Sequence, residues 1–184
     1  MKTTTALILS LVLAGCSDGD GASSGEPVLD TVAAPAPPSA WAVTDTGIGP
    51  LRVGMTTAQA ALTLGTALPS TAASPECAMV RVPRAPGEVW AMVVSDTVVR
   101  IDVRDPAIET AAGARVGDQE DRVGELYPGR VRVGPHKYTA GHYLVVPAEG
   151  DTLTRIVFET DSLGIVTTYR AGRYPEVEWV EGCG

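Results

Sequence analysis

The sequence predicts an α+β fold: two tandem repeats, each of one or more helices packed on an antiparallel β-sheet. Three observations predict it. A ten-residue motif occurs twice, both copies contain helix-start signals, and short runs of alternating β-branched residues follow each helix.

The first copy is Leu51-Arg52-Val53-Gly54-Met55-Thr56-Thr57-Ala58-Gln59-Ala60. The second is Ala114-Arg115-Val116-Gly117-Asp118-Gln119-Glu120-Asp121-Arg122-Val123. Thr56 and Gln59 are spaced as a capping box, in which hydroxyl and amide each satisfy a free backbone N–H. Leu64-Gly65 ends that helix. In the second copy Asp118 is the expected N-cap, with acids behind it that suit the helix dipole. Leu126 and Gly129 end it. Strands are predicted at Met79–Val82, Val89–Val94 and Val98–Val103 in the first half. The second half has them at His142–Val146, Arg155–Glu159 and Ile165–Arg170. Arg100, Asp102 and Arg104 alternate with Val99, Ile101 and Val103, which predicts one wet and one buried face. The tail from Tyr174 reads as a last strand, with Val177 and Trp179 inward and Glu176 and Glu178 outward. The domain is expected over 46–184, with repeat 1 at about 46–108 and repeat 2 at about 109–184.

The N-terminus reads as a targeting segment. Lys2 precedes an apolar run from Ala6 to Ala14, shorter than the about 20 residues of a membrane span. The run ends Leu13-Ala14-Gly15-Cys16, which resembles a bacterial lipobox. That resemblance implies removal of residues 1–15 as a signal peptide and lipidation of Cys16, holding the chain on a bilayer in the cell envelope. Ser17 follows the cysteine; in a host with two membranes this implies the outer membrane, facing the periplasm. Residues 16–45, rich in Gly, Ser, Ala and Pro, are expected to be a disordered tether. Asp18 and Asp20 lack the glutamate a calcium loop needs at its twelfth position, so they read as part of that tether.

The chain has 3 cysteines. With Cys16 assigned to lipid, Cys77 and Cys183 remain, and outside the cytoplasm such a pair is expected to form a disulfide. The net charge of -8 argues against nucleic acid as a partner, since that demands a basic face. No nucleophile elbow, phosphate loop, zinc helix or CxxC pattern is present, and no cofactor is predicted. Asp102, Glu159, Glu176 and Glu178 read as solvated strand faces.

One segment stands apart. Gly134 to Tyr143 holds both histidines, His136 and His142, with Lys137, Tyr138 and Tyr143. Thr139-Ala140-Gly141 is expected to be a three-residue hairpin loop, Gly141 taking positive φ. Tyr138 would then lie opposite His142 and Lys137 opposite Tyr143. Tyrosines beside cationic and amphipathic groups suit binding of a protein or polymer. With catalytic motifs absent, the leading expectation is a non-enzymatic, membrane-anchored binding module of the envelope, a reading that the family resemblance described below also implies. Two alternatives stand beside it. One is an enzyme or metal-dependent small-ligand module centred on the His136–Tyr143 hairpin, in which a pocket would join His136 or His142 to Asp102, Glu159 or Arg170. The other is a structural envelope protein in which this hairpin is scaffold.

The Val53-Gly54-Met55-Thr56 motif, its Ala/Gln helix and Leu64-Gly65 resemble the repeat of the β-lactamase-inhibitor-protein-like and BamE/SmpA-like superfamily. The resemblance covers about a dozen residues and is weaker in the second copy, where Asp118 and Gln119 stand in place of Met and Thr. It implies one or two units of helices on an antiparallel sheet and a role in binding other proteins. The motif sets a turn and a helix start, so it bears on fold more than on function.

Overall fold

The computed structural model describes residues 39–69, 74 and 76–184. The signal segment, Cys16 and most of the tether lie outside the described residues.

The fold is mainly β. β1 (Val43–Thr44), β2 (Gly47–Ile48) and β3 (Leu51–Arg52) form a small antiparallel sheet, beginning ahead of the predicted start at residue 46. α1 (Thr57–Leu64) follows, then β4 (Cys77–Arg81), β5 (Val89–Val94) and β6 (Thr97–Val103). A long connection leads to α2 (Glu120–Leu126), β7 (Arg132–Pro135), β8 (His142–Pro147), β9 (Thr154–Thr160) and β10 (Val166–Arg173). The seven longer strands make one antiparallel sheet in the order β4-β5-β6-β10-β9-β8-β7.

This corrects the expected α+β fold of two helix-on-sheet repeats. α1 has 8 residues and α2 has 7, and together they bury only Ala60, Leu64 and Val123. An apolar stripe that narrow covers a small part of a seven-stranded sheet. The remaining cover comes from Val43, Ile48 and Leu51 of the small sheet and from Ile108 and Ala114 of the long connection. The halves are not separate units either, because β6 and β10 pair at the centre of a single sheet.

The helix-start chemistry is as predicted for α1. The Thr56 hydroxyl accepts from the Gln59 N–H at 3.2 Å, and Gln59 Oε1 accepts from the Thr56 N–H at 2.9 Å. α2 differs. Its N-cap is Gln119, with no side-chain cap bond, and Asp118 instead accepts the Arg115 N–H at 2.9 Å.

Strand alternation gives the large sheet two unlike faces. One is apolar and carries the core: Val80, Ala91, Ile101, Val103, Leu144, Phe158 and Tyr169. Fully burying side chains of this kind stabilises by roughly 1.5–3 kcal/mol each before entropy is counted. The other face carries Met79, Arg81, Trp90, Arg100, Asp102, Tyr143, Arg155, Val157, Glu159 and Arg170, placed there by register. The C-terminal segment crosses this second face. It is not the predicted strand: Glu176–Glu178 is a 3-10 turn in which Glu176 and Val177 are buried and Trp179 is exposed. Cys77 and Cys183 are joined, with Cα atoms 5.4 Å apart, so the end of the segment is tied to β4.

Candidate functional site

The charged face gathers Arg100, Asp102, Arg155, Glu159 and Arg170 under the C-terminal segment. Three arginines anchor that segment. Arg100 Nη1 donates to the carbonyls of Glu176 (3.2 Å) and Trp179 (2.6 Å). Arg170 Nε donates to the Val177 carbonyl at 2.5 Å. Arg155 Nη1 donates to the Glu178 carboxylate at 2.6 Å. A 3-10 turn leaves carbonyls without internal partners at its end, and guanidinium groups are suited to take them.

Each of these cations also has an anion. Arg100 forks onto Asp102 at 2.6 and 2.8 Å, and Arg170 bonds Glu159. Arg100, Asp102, Arg170 and Glu159 are only 5%, 13%, 4% and 16% exposed at the side chain, so the expected solvated strand face is corrected. The strands supply the alternation, but the segment from Tyr174 onward excludes the water. Arg173 beside Glu176 holds that carboxyl below its ordinary value, outweighing the burial that opposes ionisation.

The histidine hairpin meets this face at one edge. Its register differs from expectation: Pro135 pairs with His142 and Gly134 with Tyr143, so the loop is longer than three residues. The reason is the His136 imidazole. Its Nδ1 accepts the N–H groups of Tyr138 (3.1 Å) and Thr139 (3.2 Å), closing the turn as a side-chain cap. That geometry assigns the ring proton to Nε2, which faces Glu159 Oε2 at 3.4 Å. The imidazole stacks on Tyr143 at 4.5 Å between centroids. Gly141 is not at positive φ. It is glycine because a Cβ there would lie 1.9 Å from the Thr160 carbonyl oxygen.

Tyr138 and Lys137 point to solvent at the tip and both reach Glu181 of the C-terminal segment, Lys137 Nζ at 2.9 Å. The Tyr138 hydroxyl, then Lys137, hold the Glu181 carboxyl below its ordinary value, and Tyr138 and Glu181 raise Lys137. These groups are exposed, so the contact fixes geometry more than stability.

The two histidines do not come together. His142 alternates with Tyr143 and lies on the opposite face, where its Nδ1 is 2.8 Å from Glu120 Oε1. Burial would raise the Glu120 carboxyl, but hydrogen bonds from Thr160 and His142 hold it below its ordinary value. The two rings share no site: His136 meets Glu159 on the charged face and His142 meets Glu120 on the other. His136, Lys137, Tyr138 and Tyr143 remain together; His142 belongs to the α2 side.

Sequence reasoning missed two parts of this surface. One is the groove beside the C-terminal segment, about 330 Å³, lined by Met79, Trp90, Arg100, Asp102, Arg104 and Glu181 among others. A smaller hollow of about 120 Å³, lined by Tyr143, Val157, Arg170 and Glu178, lies against the same segment, and Val180 borders both. The other is the extension of the aromatic surface beyond the hairpin's Tyr138 and Tyr143 to Trp90, Tyr174 and Trp179. Trp90, Tyr138, Tyr143, Tyr174 and Trp179 all belong to this face or to the segment across it, with Tyr174 stacked 4.4 Å from the Arg155 guanidinium. The signal was present in Arg100 and Arg170, charges set among apolar residues in strands that proved to be central.

No protein-family model, curated protein or solved structure matches this chain.

Proposed function

We propose that this chain is a lipid-anchored, non-enzymatic binding module of the cell envelope, and that its contact surface is the face crossed by the C-terminal segment. One observation carries the reading: five of the nine aromatic residues, Trp90, Tyr138, Tyr143, Tyr174 and Trp179, gather there with arginines. Tyr138, Tyr174 and Trp179 are 60%, 48% and 39% exposed. Trp, Tyr and Arg on a rigid support are the residue types that dominate interface energies. The support is rigid because the carbonyl ties, the ion pairs and the disulfide fix it. The lipobox-like Leu13-Ala14-Gly15-Cys16 supports anchoring, and the BamE/SmpA-like motif supports protein as the class of partner.

Crosslinking and pull-down from the native envelope test this. The wild type is compared with a Tyr138→Ala/Tyr174→Ala/Trp179→Ala variant, and with His142→Ala as a control on the opposite face. The expected result is a partner captured by wild type and His142→Ala and lost by the triple variant at unchanged melting temperature. An identical partner set for all three refutes the surface. Cys16→Ala is expected to move the protein to the soluble fraction; retention on membranes refutes the anchor.

A further inference from the structure

We propose that the β4 edge, with Arg81, Trp90 and Arg104 beside it, binds an acidic extended peptide segment as an added strand. This rests on the binding-module reading and names the chemistry of its partner.

Backbone geometry comes first. The Val82 N–H bonds the Val89 carbonyl at 2.9 Å and the Ser95 N–H bonds the Glu76 carbonyl at 3.1 Å. Even-numbered residues of β4 therefore turn their polar groups toward β5, and Cys77, Met79 and Arg81 turn theirs outward. β4 is an edge of the large sheet, and those outward groups have no backbone partner among the described residues. The opposite edge, β7, is blunted. There the His136 N–H bonds the Gly141 carbonyl, so Val133 and Pro135 face outward, and proline has no N–H to give. β4 contains no proline between Cys77 and Arg81. Of the two edges, β4 is the one able to template a further strand.

Charge then selects the occupant. On this face Arg100 is neutralised by Asp102, Arg170 by Glu159, Arg155 by Glu178, and Lys137 by Glu181. Glu88 accepts the Trp90 indole N–H at 3.2 Å. Arg81 and Arg104 are exposed and form no ion pair among the described residues; Arg132, the third such arginine of this face, stands at the blunted edge. Arg81 is the cross-strand neighbour of Trp90, and Arg104 lines the 330 Å³ groove with Trp90 and Met79. A strand laid along β4 would set one side chain beside Arg81 and the next on the same face beside Met79. Acidic and apolar residues alternating at every second position fit that pair.

The test uses the full chain in detergent and a blocked ten-residue peptide carrying Glu and Val at alternate same-face positions, with a Lys-for-Glu peptide as its counterpart. Calorimetry is expected to give saturable binding of the acidic peptide only, weakening with salt. Amide exchange is expected to slow at Met79 and Arg81. Arg81→Glu/Arg104→Glu is expected to weaken binding by about tenfold or more at unchanged melting temperature. Absence of binding, binding that survives the charge reversal, or equal binding of the Lys peptide overturns the assignment. So does concentration-dependent pairing of two β4 edges that excludes the peptide. Envelope capture that is lost in the Tyr138/Tyr174/Trp179 variant but kept on Arg81/Arg104 reversal overturns the edge and leaves the binding module standing.

Discussion

Substitution at Glu159 and Arg170 measures what the buried ladder of ion pairs on the charged face, Arg100–Asp102 and Arg170–Glu159, contributes. Arg170 is 4% exposed and Glu159 16%, so both charges have lost most of their water. Glu159→Leu leaves the Arg170 guanidinium with a carbonyl but no counter-ion. Removing one partner of such a pair costs about 3–5 kcal/mol. Arg170→Met leaves Glu159 with His136 and partial solvent, and strands the Val177 carbonyl, at about 2–4 kcal/mol. In the double variant both charges are gone, and what remains is the stranded carbonyl, about 1–3 kcal/mol. The cycle should therefore close with a coupling of about 5 kcal/mol at mid-range values, the double variant costing far less than the two singles combined. Urea unfolding followed by tryptophan fluorescence, without reductant, gives the four free energies. Additivity within about 0.5 kcal/mol would refute the ladder as a desolvated unit and leave it equivalent to a surface pair.

Other consequences follow from the same geometry. The disulfide spans 106 residues, so Cys77→Ser/Cys183→Ser should lose about 4–5 kcal/mol in urea, and reductant should bring wild type to the same midpoint; an oxidised wild type no more stable than the variant contradicts this. Gly141→Ala drives a Cβ into the Thr160 carbonyl and should cost more than about 2 kcal/mol. Gly124→Ala, in α2 with open space around it, should stabilise by about 0.4–1 kcal/mol. Thermal melts in which those two substitutions rank the other way would overturn the reading of both sites. Glu176 titrates below its ordinary 4.5 in the folded chain, so the unfolded chain takes up its proton first as pH falls. Its contribution is full above about pH 5.5 and fades as pH falls through the depressed native value. Urea midpoints from pH 6 to 3 should show a shallower acid limb for Arg173→Gln; identical limbs would remove the Arg173–Glu176 pair from the account.

Local signals were legible in the sequence where the chemistry is local. The capping box at Thr56 and Gln59, six of the seven longer strands and the cysteine pair all depend on residues that announce themselves. Gly54 and Gly117, matched in the repeated motif, both take positive φ, at 91° and 96°, each just ahead of a helix. The layer architecture was not legible, because two-residue strands carry no period and a helix of 7 or 8 residues signals its start without signalling how little it covers. β7 was missed because Gly and Pro in Arg132–Pro135 argue against a strand, and they are tolerated there because it is an edge. The hairpin register turned on a histidine acting as a turn cap. The buried ion pairs turned on a segment more than seventy residues downstream of Arg100, and alternation alone cannot say what will lie across a strand.

The strand order also sets a schedule for synthesis. β6 ends at Val103 and its partner β10 begins at Val166, with β7, β8 and β9 made in between. A chain emerging N-terminus first into its compartment, at about the 5–20 residues per second of synthesis, leaves the inner edge of β6 without its partner for several seconds. Until then the only strands available to pair on that side of the seam are β4, β5 and β6, and the open border of that ribbon is Thr97–Val103, whose Val98, Val99, Ile101 and Val103 are all buried in the finished sheet. The middle of the sheet is its last seam to close, so a pause or truncation anywhere before β10 presents that ribbon to whatever else is in the compartment.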